Sequence, residues 1–179
     1  MDKPLPDPDV PRYTERPLPD YRHLPFQNPH PFLDEDGHSY GEKLEPVVGF
    51  GPDNWRDCRE YLYAVDLFNH GFWWEAHERL KPLSISVGRE TPAGIFLQGV
   101  VQLAAALLKH HLGEPQPAGQ LAEMGRTSLI AAEADLFGID ARLLADGVQA
   151  CLEQDTAAPV IRLAGLSDCR TEVPSCRKP

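Results

Sequence analysis

Pro92-Ala-Gly-Ile-Phe-Leu-Gln-Gly-Val-Val-Gln-Leu-Ala-Ala-Ala-Leu-Leu-Lys-His-His111 is the stretch that decides the fold. Pro92 suits the first turn of a helix, where its missing N–H is not needed. Residues 93–111 are then apolar on most faces, and a helix that is hydrophobic nearly all round is central, with others packed about it. Gly94, Gly99 and Ala104 to Ala106 leave room for those neighbours. Upstream, Asp53 or Asn54 can cap a first helix whose apolar positions Trp55, Cys58, Tyr61, Leu62, Val65 and Phe68 recur every three to four residues until Asn69-His70-Gly71. A second helix spans Phe72 to about Lys81 with Pro82 as its limit, followed by a loop from Leu83 to Thr91. Downstream, Gly113 and the Pro115/Pro117 pair separate helix three from a fourth that runs to Phe137 before Gly138. A fifth runs from the N-cap Asp140 to about Gln154. Short loops between such helices make antiparallel neighbours. The expected fold is all-α, a compact bundle of about five helices with no internal repeat.

The chain has 179 residues, 42% hydrophobic and 25% charged, which suits one domain of about 150 residues and a remainder. Eleven of its 18 prolines precede Asp53, where no period of 2 or 3.6 persists. Residues 1–52 therefore form an extended, Pro-rich N-terminal arm, residues 53–155 the helical bundle domain, and residues 156–179 an irregular C-terminal tail. Tyr13, Tyr21, Phe26, Phe32 and Tyr40 give the arm apolar area that a flexible spacer lacks, so it is expected to pack along the domain.

Charge excludes more. The net −10 divides as −5 for residues 1–52, −7 for 53–155 and +2 for 156–179. A body that acidic repels phosphate backbones, so nucleic acid is not an expected partner. No run approaches the roughly 18 apolar residues of a membrane span, and Met-Asp-Lys-Pro-Leu-Pro is no signal peptide, so no membrane is expected and the location is read as cytoplasmic. Cys58, Cys151, Cys169 and Cys176 make no Cys-x-x-Cys pair and suit a reducing compartment, where a Cys169–Cys176 bridge is not expected.

The densest chemistry is Leu67-Phe-Asn-His-Gly-Phe-Trp-Trp-Glu-Ala-His-Glu-Arg-Leu-Lys81. The zinc-protease helix needs a second His four residues after the first, and here that position is Lys81. On a helical wheel Phe72, Trp73, Ala76, Leu80 and Leu83 share a face, with His77 at one border and Glu75 at the other, while Glu78 points toward solvent or the arm. As first-turn acids Glu75 and Glu78 suit the helix dipole. Gln98, Gln102 and Lys109 or His110 form a polar stripe on helix three that either faces solvent, bonds to the backbone in a structural network, or brings Gln102 and His110 to His77 in a small-ligand pocket with Asn69 as a further candidate. If the arm folds over helix two, His30, His38, His77 and Glu78 could supply mixed N/O metal ligands.

The two motifs, residues 68–78 and Phe96-Leu-Gln-Gly-Val-Val-Gln-Leu-Ala-Ala-Ala106, resemble the small helical bacterial family catalogued as domain of unknown function 309. The resemblance covers roughly residues 58–130. It implies an all-helical fold and no established activity, substrate or cofactor. The family's recurrent polar positions fall on Asn69, Glu75, His77, Glu78, Gln98 and Gln102; where the pattern continues with an acid and a Trp, this chain has Lys81, Ser84 and Ile85. Two functions compete. One is a binding or assembly module, homo-oligomeric or with a protein partner, working through helix faces and the arm. The other is a hydrolase, metal-dependent or not, with His77 as base or ligand, Glu78 or Glu75 as its carboxylate and Gln102 orienting substrate or water. A sensor or carrier using the pocket is a third reading.

Overall fold

The computed structural model describes residues 9–132 and 135–170. After a single 3-10 turn, Trp55–Asp57, come α1 Arg59–Asn69, α2 Trp73–Ser86, α3 Pro92–His111, α4 Pro115–Ala131 and α5 Ala141–Gln154, with no strand among the described residues. α3 is central and packs on α2, α4 and α5. Thr91 caps it, its hydroxyl accepting from Gly94 N–H at 3.0 Å, and Pro92 fills the first turn as expected. By length and composition α3 is apolar enough to cross a membrane, which corrects the reading that no run comes near a span. Most of it is buried, with Phe96, Leu97, Val100, Leu103 and Leu107 in the core, as befits the central helix of a bundle.

Three helix boundaries differ from the periodicity, each for a local reason. Asn54 does not cap α1: its side chain accepts from Gly51 N–H and donates to Gly49 O, closing a turn of its own, so the chain makes a 3-10 turn first. Pro82 does not end α2. Leu83 beyond it is buried, Ser84 and Ser86 hydroxyls donate to the Lys81 and Pro82 carbonyls at 2.8 and 2.9 Å, and together these offset a proline's cost of about 3 kcal/mol in a helix. α4 stops at Ala131 rather than at Phe137. Phe137 instead takes a left-handed conformation, φ 55°, which turns its ring into a buried cluster with Phe50, Tyr61 and Phe96. Tyr61 Oη donates to Phe137 O at 2.7 Å and fixes that turn.

Arm and tail both dock. Between His30 and Glu42 the arm folds on itself through turn hydrogen bonds such as Ser39 N–H to Pro31 O and Gly41 N–H to Phe32 O. Asn69, a ligand-pocket candidate from the sequence, brackets the tail: its amide donates to Ile161 O at 2.9 Å and accepts from Ile161 N–H at 2.7 Å. Tyr13 Oη accepts from Leu163 N–H, and Arg12 O accepts from Cys169 N–H, so arm and tail meet beside α1. Cys58, Cys151 and Cys169 are free thiols, while Cys176 lies outside the described residues, as do residues 1–8 of the arm and the tail beyond Arg170.

Candidate functional site on the docked arm

Two buried carboxylates hold the arm. Asp66, in the middle of α1 and fully buried, accepts from Tyr13 N–H at 2.7 Å, Thr14 N–H at 3.0 Å and the Thr14 hydroxyl at 2.6 Å. The Arg12 guanidinium lies 3.2 Å from the same carboxylate and neutralises it. Glu75, in the first turn of α2, accepts from His23 N–H at 2.7 Å, and His38 Nε2 lies 3.2 Å from the same oxygen. The other oxygen, Oε2, is buried without a hydrogen bond. Glu75 is therefore more than a first-turn acid: the arm closes over it, and the charge-assisted bond from His23 N–H with the His38 ring beside it offsets part of the cost of its burial.

Trp74 is the apolar half of this clamp. The rings of His23, His30 and Phe32 lie 4.6, 5.2 and 5.6 Å from it, two of them edge-on. Asn28 sets the geometry, its Oδ1 accepting from Leu24 N–H and lying 2.9 Å from His23 Nδ1 while its Nδ2 donates to Arg22 O. Arg22 Nη2 in turn donates to His70 O at 2.8 Å, past the end of α1. Farther along, Arg79 of α2 bonds Glu42 of the arm at 2.7 Å. Burial would raise the Glu42 carboxyl, but Arg79 and Arg16 more than offset it and hold it below the ordinary range.

Burial holds the His23 imidazole below its ordinary value of 6.5, against the smaller upward pull of Asn28 and Glu75. His70 is lowered by burial too. The folded protein then binds fewer protons than the unfolded chain, so the stability these rings allow is complete above about pH 6.5 and is lost as pH falls through the window beneath it. The urea midpoint is expected to drop between about pH 7 and pH 5, and His23→Gln to flatten that slope. A midpoint independent of pH in both proteins contradicts the buried neutral ring.

The expected site residues are dispersed. His77 Nδ1 lies 3.0 Å from Glu78 Oε1, and Lys81 donates to both Glu78 oxygens at 3.1 and 3.2 Å. Burial would raise Glu78, but the bonds from His77 and Lys81 outweigh it and keep the carboxyl below its usual range, which suits an ionised carboxylate and not a general acid. Gln98 is exposed; Gln102 accepts from the Ser128 hydroxyl of α4 at 3.2 Å; His110 sits 3.5 Å from Asp155. The arm does fold over α2, yet it brings His30 to Trp74 and His38 to Glu75, not to His77 and Glu78. His30 Nδ1 is also taken by the N–H groups of Phe32 and Leu33. Among the described residues no three His, Cys, Asp or Glu side chains are placed to hold a metal ion. Ser39, His38 and Glu75 do form a row, with Ser39 Oγ 2.9 Å from His38 Nδ1. The His38 and Glu75 side chains are only 5% and 3% exposed, so this pair is closed to solvent while Ser39 is half-buried.

Sequence reasoning missed Asp66, Trp74 and His23. Asp66 had a signal: it is the lone charge within the apolar run Tyr61–Phe68. The arm also departs from expectation in that Phe26 and Tyr40 do not dock. Phe26 is fully exposed, at φ 67°, and Tyr40 and Leu33 are 57% and 74% exposed.

Fold and clamp together define a class: an all-helical bundle strapped by its own N-terminal segment through buried acids in α1 and α2. Residues 61–121 match the model of a family described as Domain of unknown function (DUF309). The span begins in α1 and ends in α4, so it holds Asp66, Trp74 and Glu75 but leaves out the arm and α5. No curated protein and no solved structure matches the chain.

Proposed function

We propose that the protein is a binding and assembly module of the bacterial cytoplasm, in which the clamped arm is a rigid display for a protein partner, with neither nucleic acid nor a membrane as target. The observation that carries this reading is Phe26, a bulky residue held at φ 67° with its whole ring in water. A left-handed non-glycine residue costs of order 1–3 kcal/mol and persists where surroundings over-determine it, and such strain gathers at functional positions. Gln27 N–H donating to Leu24 O at 3.0 Å and the Asn28 bonds supply that determination. An aromatic anchor pre-organised in this way loses little conformational entropy on binding.

Phe26→Gly separates binding from folding. Glycine accepts this φ and no buried area is lost, so the variant is expected to be as stable as the parent or up to about 1 kcal/mol more stable in urea denaturation. A photo-crosslinking residue at the exposed Gln27 should give one discrete protein adduct in cells, and Phe26→Gly should abolish it. A crosslinked protein that stays monomeric, or an adduct indifferent to Phe26→Gly, overturns the reading.

A further inference from the structure

Resting on that reading, we infer that the partner is a second copy of this chain, and that Phe26 of one copy enters the cleft between α5 and the tail of the other. The cleft has a volume of about 350 Å³ and walls formed by Ile139, Leu143, Leu144, Pro159, Val160 and Ile161. That is about twice the roughly 150 Å³ of an apolar protein cavity able to hold benzene, so it admits a phenyl ring with room for a neighbouring side chain. Leu143 stands at its rim, 69% exposed. Apolar knob and apolar hole are both open to water on one chain, and each lies outside residues 61–121.

Charge favours this pairing. The lobe that displays Phe26 and Leu33 carries the exposed acids Asp34, Glu35 and Asp36. Arg162 lines the cleft and Arg142 adjoins its rim residue, both exposed, in a chain whose net charge is −10. Asp140, the one acid lining the cleft, caps α5 through Leu143 N–H at 2.8 Å and keeps its charge, while Asp146, next to the lining residue Gly147, is paired with Arg126, so Arg142 and Arg162 outnumber the unpaired acid at the cleft. Opposite charges flanking a knob and its hole orient the encounter and disfavour like faces meeting. A contact centred on one ring belongs with small, reversible interfaces, so association is expected in the micromolar range or weaker.

The test is sedimentation of the full chain from about 1 µM to about 1 mM, with Phe26→Gly as the copy lacking a knob and Leu143→Asp as the copy with a blocked cleft. The parent should gain mass with concentration, and each variant alone should stay monomeric with a melting temperature no lower than the parent's. Mixed in equal amounts, the two variants should form a one-to-one complex, since one intact knob and one intact cleft remain. Arg142→Glu, a surface change, should weaken the parent's association at least about threefold at low salt. A parent that stays monomeric at every concentration, or association that survives both Phe26→Gly and Leu143→Asp, overturns the inference. If the parent is monomeric while the Gln27 adduct is a different protein lost with Phe26→Gly, the inference falls and the binding-module reading stands. If there is no Phe26-dependent adduct of any kind, both fall.

Discussion

Asp66→Ala is expected to free the arm from α1 and to cost about 3–5 kcal/mol of folding stability, the penalty of removing one partner from a buried ion pair. The Asp66 carboxylate satisfies four groups at once. Deleting it strands the N–H groups of Tyr13 and Thr14, the Thr14 hydroxyl and the guanidinium of Arg12, which is itself buried. Each stranded neutral donor costs roughly 1–3 kcal/mol, and water can reach some of them only if the arm lifts. Lifting also gives up the burial of Tyr13 and Leu18. Because Tyr13 Oη holds Leu163, the tail loosens with the arm. Asp66→Asn separates charge from shape: an amide oxygen can still accept from Tyr13, but an NH2 group then confronts the Thr14 N–H, so this variant too should be destabilised, by less. Urea denaturation gives the magnitude, and hydrogen exchange at Tyr13 and Thr14 gives the location. A cost under about 1 kcal/mol with those amides still protected would contradict the anchor.

How far this was legible in the sequence depends on the range over which each feature is determined. α3 was readable because its nearly all-round apolar run and its Pro92 start are local. The ends of α2 and α4 were not, because each is decided by a side chain finding a distant core. Leu83 draws α2 past Pro82, and Phe137 leaves the helical pattern to stack on Phe50. The clamp was half legible. Aromatics in the arm implied docking, whereas the lone carboxylate within the run Tyr61–Phe68 carries a signal that helical periodicity passes over, and nothing periodic says that its partners are Arg12, Tyr13 and Thr14. The His77/Glu78 pair drew attention by its chemistry, yet the more buried Glu75 two residues earlier is the one the arm covers. A wheel placed Glu75 at the border of the apolar face without showing that an arm lay beyond it.

Gly125→Val is expected to destabilise the bundle by about 3 kcal/mol or more, in the upper part of the range for overpacking a close contact. α3 and α4 meet where Gly99 and Gly125 face each other. A Cβ on Gly125 would lie 2.9 Å from Gly99 O and 2.7 Å from Leu103 Cδ2, and one on Gly99 would lie 2.9 Å from Gly125 O. The leucine tip can swing aside, but the carbonyl belongs to the backbone of the central helix, so the whole of α4 must move. Since α4 also packs against α5, displacement carries on toward the helix that lines the cleft. Gly125→Ala brings the same Cβ without the branch and gains about 1 kcal/mol of helix propensity, so it should lose less. Gly119, exposed on the same helix with nothing within 4 Å of its Cβ position, is the internal control. There propensity acts alone, and Gly119→Ala should stabilise by about 0.5–1 kcal/mol. Opposite signs for Gly119→Ala and Gly125→Val in one denaturation series identify close helix approach as the cause, whereas equal responses at the two positions would assign both to propensity and leave the crossing unsupported.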